Sequence, residues 1–360
     1  MNQLQLFLPC AAGVEALLAS EVQRVTGIQG KAWRAGVQLQ GSWRDAMQLN
    51  LHSRLAQRVL IELQHCSYRS EQDLYNAAGN VAWEIWFTPK QSFKVEITAQ
   101  HSPLTSLNFA ALKIKDAIAD RFRAKFDVRP DVDTRWPDVR VYVHLTTDTV
   151  TIYIDTSGEP LFKRGWREDK GDAPLKETLA AAMIAASGWD LAAKQGVPLY
   201  DPCCGSGTIA IEAAQIACNI APGINRRFAF QKFLPFQGHV WDGLLDQAEA
   251  AITEPTAPVF GSDVSFRMVD FAERNAERAG VANAVQLRGG DALQRMPPAP
   301  TGVMLVNPPY GERIDVAGVA GITGIQGRDQ RRQAIDEFGQ PLASHAGQEA
   351  DAPRDRSANP

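Results

Sequence analysis

The chain has 360 residues, of which 45% are hydrophobic and 22% charged, and its formal net charge is −4. The length allows two or three domains, each with its own core, in a protein of ordinary globular composition. The small negative charge excludes a clamp that holds nucleic acid by its overall field, so any such binding must come from local basic patches.

The apolar stretch LQLFLPCAAGVEALLAS near the N-terminus has no basic flank and is interrupted by Glu15. It reads as a strand from Leu4 to Leu8 and an amphipathic helix from Gly13 to Val25, stopped by Gly27. These belong to a first part, residues 1–60. From 61 to 160 the pattern is α+β: Phe93, Val95 and Ile97 alternate in a half-buried strand, and a helix runs from Asn108 to Phe122. Val141, Val143 and Leu145 then face Val150, Ile152 and Ile154 across a hairpin. From 165 to 316 the strands become continuous apolar runs alternating with helices, the pattern of a parallel sheet covered on both faces. A spacer rich in Phe, Trp and basic residues, about 221–243, separates the first of these units from the second. Residues 317–360 are rich in Gly, Ala, Gln and charge without a sustained period, and read as a disordered tail. No run approaches the ~18–20 apolar residues of a membrane span. The five cysteines form neither a C-x-x-C pair nor a cluster with histidine, so no metal site is expected, and a reduced, cytoplasmic compartment is.

The segment DPCCGSGTIAIEAA places Gly205 and Gly207 between a strand, Val197 to Tyr200, and a helix starting near Thr208. Such glycines let the backbone turn tightly and approach a ligand at the helix N-terminus. A dinucleotide fold wants an acidic residue about 20 residues further on, and none stands there. The next strand instead ends at Asp263, placed to hold a ribose diol, and a third at Asp291, suited to an adenine amine. A nucleoside held by successive strand ends, without a third glycine for a pyrophosphate, favours S-adenosylmethionine over NAD. A glycine turn with two helix-capping aspartates would account for the same residues without a ligand.

The fourth strand end is Asn307-Pro308-Pro309-Tyr310. An exocyclic base amine is a poor nucleophile because its lone pair is delocalised into the ring. The Asn307 side-chain oxygen and the Pro308 carbonyl would accept its two hydrogens and direct the nitrogen toward a sulfonium methyl. The prolines, fixed in φ, would hold those acceptors rigidly, and Tyr310 would stack on a base swung out of its helix. A strand-exit turn is the plainer reading of the same four residues.

The ordered motifs DPCCGSGT, GSD, GGD and NPPYGER resemble class I S-adenosylmethionine-dependent RNA methyltransferases of the NPPY type. LFKRGWREDKGDAPLKETLAAAMIAASGW is similar to the linker and first helix of THUMP-containing guanine-N2 methyltransferases, and the N-terminal region to their ferredoxin-like and THUMP modules. The resemblance covers residues 1–316. It implies a ferredoxin-like part at 1–60, an RNA-binding THUMP domain at 61–160 and a Rossmann-like α/β methyltransferase domain at 165–316. It implies S-adenosylmethionine held by Asp201, Pro202, Cys203, Gly205, Ser206, Gly207, Thr208, Asp263, Asp291 and Asn307, with catalysis at Asn307, Pro308, Pro309 and Tyr310. The expected partner is RNA, above all large-subunit rRNA, with tRNA as the alternative. Arg164 and Arg167, at the junction of the modules, are the leading phosphate contacts. Lys113 and Lys115 read as a solvated helix face first and as RNA contacts second. Arg226, Arg227 and Lys232, mixed with Phe228, Phe230 and Phe233, fit a target-side flap or core packing equally.

Two departures stand out. Cys203 and Cys204 occupy positions where the family has one small or apolar residue and one Cys. The family also continues for three strands beyond NPPY, where this chain turns to low complexity. The expectation is a C-terminally incomplete catalytic domain, and with it the alternative of an RNA-binding protein whose catalytic part is inactive.

Overall fold

The computed structural model describes residues 3–171, 174–294 and 296–308; Pro309, Tyr310 and the tail at 317–360 lie outside the described residues. In chain order the N-terminal elements are β1 (Leu4–Pro9), α1 (Glu15–Thr26), β2 (Lys31–Trp33), β3 (Gly36–Gly41), α2 (Trp43–His52), β4 (Leu60–Ser67) and α3 (Glu71–Asn80). They continue with β5 (Phe93–Ala99), α4 (Leu107–Phe126), β6 (Val139–Leu145) and β7 (Thr149–Asp155). The alternating residues of the expected hairpin pair across β6 and β7 in antiparallel register, Val143 opposite Ile152, and all face the core. Serine caps with a reciprocal aspartate three residues on start both α2 (Ser42, Asp45) and α3 (Ser70, Asp73).

These strands form one seven-stranded sheet in the order β2-β3-β1-β4-β7-β6-β5. It runs without interruption from the first part of the chain into the second, because β4 pairs with β1 on one side and with β7 on the other.

The second half opens with α5 (Glu177–Ala186) and α6 (Trp189–Ala192), followed by β8 (Leu199–Asp201), α7 (Thr208–Ala217), α8 (Gly238–Ala250), β9 (Val259–Asp263), α9 (Phe266–Arg278), β10 (Val285–Gly289) and β11 (Val303–Met304). Its four strands are parallel, in the order β10-β9-β8-β11. The order reverses between β8 and β11, and open α/β sheets bind ligands at such a switch point.

Among the described residues, helices cover one face of the sheet. Helices α7 and α9 pack on one face, over Leu199, Val259, Val285 and Leu287. On the other face Tyr200 and Phe260 are half-buried, and Gln286, Arg288 and Met304 are exposed. Helix α8, lying between two strands of this sheet in the chain, packs on α2 of the N-terminal module instead. Phe228, Phe230 and Phe233 are buried with it in the N-terminal core, beside Trp43 and Trp241. The Phe230 N–H donates to Thr156 O at 3.0 Å, and Leu234 N–H to Trp86 O at 2.9 Å. The aromatic spacer is therefore core, not a flap, and it welds the two modules together.

Truncating Phe230 to alanine removes a fully buried ring from that shared core and is expected to cost about 3–5 kcal/mol. Urea unfolding followed by tryptophan fluorescence and by far-UV circular dichroism checks this. Both probes should shift to the same lower midpoint, whereas loosely joined modules would give two.

Candidate active site

Strand β8 delivers the chain into the glycine loop. Gly205 and Gly207 take φ of 52° and 89°, the left-handed region that side chains with a Cβ seldom occupy. A Cβ at Gly207 would lie 3.0 Å from Ala272 Cβ and Ile211 Cδ1, so α9 closes against the loop only because this residue has no side chain. Three loop residues in succession are tethered to neighbouring elements. The Cys204 N–H donates to Ser262 O at 2.8 Å, the Gly205 N–H to Asp263 Oδ2 at 2.9 Å, and Ser206 O accepts from Asn275 Nδ2 at 3.0 Å. Ser206 and Thr208 are buried, and Thr208 opens α7.

The acidic residues of the sequence reading converge on this loop. Asp263, half-buried at the end of β9, binds the loop through one oxygen and the Ser265 N–H through the other, at 2.9 Å. Asp201 is buried at the end of β8 and accepts from the Cys203 N–H at 3.2 Å. Burial, with Asp263 nearby, pushes its carboxyl up to about 8. Asp291 follows β10, half-buried, its Oδ1 capping the turn by accepting from the Leu293 N–H at 2.9 Å. Burial and the neighbouring aspartates push the Cys203 thiol up to about 12 and raise Cys204 as well. Neither cysteine is a nucleophile at neutral pH.

Strand β11 runs beside β8, with Met304 opposite Tyr200 and the Leu305 N–H donating to Tyr200 O at 3.0 Å. The chain leaves that pairing toward the side where β8 enters the glycine loop. Asn307 there is half-buried and Pro308 exposed. Sequence reasoning missed Phe266. Its ring covers Gly289, where an added Cβ would meet it at 2.4 Å, and it is 75% exposed at the ends of β9 and β10. The Gly289-Gly290 pair was the available signal, because it leaves room for a ring.

The junction arginines are corrected. Arg164 is buried and donates to both Glu212 oxygens, to Leu161 O and to Arg54 O. Arg167 donates to Glu177 Oε1 at 2.8 Å, Leu175 O at 2.9 Å and Thr208 Oγ1 at 2.7 Å. With their donors turned inward, both residues are structural ties rather than phosphate contacts. Lys113 and Lys115 lie half-buried on α4, Lys113 over the Phe109 ring and Lys115 paired with Asp116 at 3.0 Å. Among the described residues no three His, Cys, Asp or Glu side chains gather as a metal site, and no helix is long and apolar enough to cross a membrane.

Comparison with known proteins matches residues 5–60 to the RlmL ferredoxin-like domain, 68–155 to the THUMP domain and 164–320 to the RMKL-like methyltransferase domain. Ribosomal RNA large subunit methyltransferase K/L of Psychromonas ingrahamii is 40% identical over 318 residues, covering 86% of this chain and 42% of that protein. A solved structure from Listeria monocytogenes, described as a predicted N6-adenine-specific DNA methylase, is 32% identical with a TM-score of 0.79, covering 89% of this chain and 83% of that one. This chain belongs to the RMKL-like family of THUMP-containing methyltransferases. SMU.472, solved in complex with SAH, is 29% identical at a TM-score of 0.79, over 89% of this chain and 84% of its own. This family member spans less than half the length of the curated K/L relatives it matches.

The raised carboxyl of Asp201 gives a signed pH dependence. The unfolded chain loses this proton near the ordinary value of 3.8, the folded one only near 8. The stability it contributes is thus full below about pH 4 and is lost as the pH rises to 8. Asp201→Asn removes that slope. Relative to wild type, the variant should gain stability between pH 5 and 8, on the order of a few kcal/mol, read from melting temperatures across that range.

Proposed function

We propose that this chain transfers the methyl group of S-adenosylmethionine to the N2 amine of a guanine in large-subunit rRNA. The observation that carries the reading is the site at the switch point. A glycine loop tethered to the end of β9 stands beside a strand that runs out into Asn307-Pro308. The relative solved with SAH and the K/L relatives support the cofactor and the RNA class. The residues present fit such a cofactor: the Gly205 turn stands open, with only Met268 Cε within 4 Å of an added Cβ, Asp263 ends the strand facing the loop, and the exposed Phe266 ring offers a flat surface to a base. S-adenosylmethionine supplies an electrophilic methyl group when bound.

The chain's own contribution is binding and alignment. Residues 201–208 and 263 hold the nucleoside, with Asp291 toward its base. The Asn307 carboxamide oxygen and the Pro308 carbonyl accept the two hydrogens of the target amine and aim its nitrogen. Pro309 and Tyr310 complete the motif in the sequence, the tyrosine as a stacking surface for the extruded base. No strong base is required before transfer, because the methylated amine is cationic and sheds its proton readily. Rate enhancement then comes from orientation and fixed dipoles. The domains are proposed as 1–60 ferredoxin-like, 61–160 THUMP for RNA capture, with Lys113 and Lys115 among its contacts, and 165–316 methyltransferase.

The test uses labelled S-adenosylmethionine and undermodified 23S rRNA, with the protein at the length at which it occurs in the cell. N2-methylguanosine is expected. N6-methyladenosine, the product in keeping with the Listeria relative's description, would overturn the guanine assignment, and label in tRNA alone would overturn the rRNA one. Two variants separate the roles. Asn307→Ala should lower turnover about 10²–10³-fold with cofactor affinity unchanged. Asp263→Ala should weaken the cofactor about tenfold or more, since a charge-assisted hydrogen-bond acceptor is lost. Titration calorimetry beside single-turnover kinetics distinguishes them.

A further inference from the structure

Residues 166–169 of the linker form a strap between the modules, and the amide of one residue on α9 joins that strap to the Ser206 carbonyl of the glycine loop. Asn275, on α9, is fully buried. Its Nδ2 donates to Ser206 O in the loop at 3.0 Å and to Asp169 O in the strap at 2.9 Å. Its Oδ1 accepts from Arg278 at 2.6 Å and from the Glu168 and Asp169 N–H groups at 3.3 and 3.4 Å. Only a side chain with both donors and an acceptor satisfies this set; a carboxylate would face two carbonyls with no hydrogen to offer. The strap is also latched to the same helix by Asp169, which accepts from Arg274 and Arg278 and is held down to about 2 by them.

We propose that Asn275 is a positioning residue for cofactor binding. Its amide sets the Ser206 carbonyl, and with it the direction of the Gly207 turn and the start of α7, while registering the interdomain strap against the same loop. Asp263 and Ser262 fix the loop from the β9 side through Gly205 and Cys204; Asn275 fixes it from the α9 side. A loop held at one side only would still form, but its N–H groups would no longer point at one place, and affinity rests on that preorganisation. Asn275 itself touches no reacting group. This inference rests on the reading that the loop binds S-adenosylmethionine.

The test compares two variants of the full chain, with S-adenosylhomocysteine as the binding probe, titrated by calorimetry well below the melting temperature. Asn275→Ala should raise its dissociation constant about tenfold or more and raise KM for S-adenosylmethionine, with kcat near wild type. Asp169→Asn breaks the ion pairs of the same strap to the same helix without touching the Ser206 bond. It should lower the melting temperature comparably while keeping the dissociation constant within about twofold of wild type. Should the alanine variant fail to fold, Asn275→Ser, polar but too short to reach Ser206 O, takes its place. Wild-type affinity in a folded Asn275 variant, or equal weakening in Asp169→Asn, overturns the inference alone. Failure of the wild type to bind the probe overturns the cofactor reading beneath it.

Discussion

The carboxylate of Glu212 is the point at which three parts of the chain meet. It is fully buried on α7, the helix that begins in the glycine loop, and accepts from Arg54 of the N-terminal module at 3.2 Å and from Arg164 of the linker at 3.0 Å. The remaining guanidinium donors reach backbone carbonyls: Arg54 to Ile220 O, Arg164 to Leu161 O and Arg54 O. Buried ion pairs often add little net stability, because desolvation offsets the attraction, yet losing one partner costs about 3–5 kcal/mol by stranding the other charge. The network therefore matters less for how stable the protein is than for which arrangement of its parts is allowed. Any rotation of the module against the loop helix would strand a charge in the interior.

The aromatic spacer enforces the same arrangement by apolar means. It leaves the catalytic half after α7, packs Phe230 and Trp241 into the N-terminal core at a centroid separation of 5.1 Å, and returns to form β9. With polar and apolar ties acting together, the N-terminal surface stands at a set distance from the glycine loop. Whatever that surface holds is presented to the strand ends by geometry rather than by a flexible tether. The linker arginines are turned inward, whereas on α4 Lys113 lies over a half-exposed Phe109.

The parts legible in the sequence were those whose cause is local. Glycines at 205 and 207 announce a backbone no other residue adopts readily, the alternation in β6 and β7 announces a one-sided core, and aspartates at the ends of three of the four parallel strands announce a polar rim. Arg164 and Arg167 failed as surface contacts because charge at a module junction reads as exposure unless its partner is visible. The partner of Arg164, Glu212, sits 48 positions later inside an apolar helix. Asn275 was illegible for the same reason: in FAERNAERAG it is one polar residue among many, and only the fold turns it toward Ser206. The course of α8 could not be foreseen either, since nothing local says that it packs on α2 rather than on its neighbouring strands.

Charge around the loop bears on what the site accepts. Asp201, Asp263 and Asp291 all lie close enough to Cys203 to raise its thiol, and Asp201 keeps its proton to about pH 8 because of burial and Asp263. The cations beside the loop are committed elsewhere: Arg167 to Glu177, Arg274 and Arg278 to Asp169. A pyrophosphate would bring further negative charge into a place that already suppresses one ionisation, with helix-start N–H groups as its main compensation. A nucleoside carrying a sulfonium and an ammonium brings charge of the opposite sign and favours the ionised form of Asp201. The absence of an acidic residue about 20 positions after the loop and the excess of acid beside it are independent features, and both disfavour a dinucleotide in favour of a cationic nucleoside.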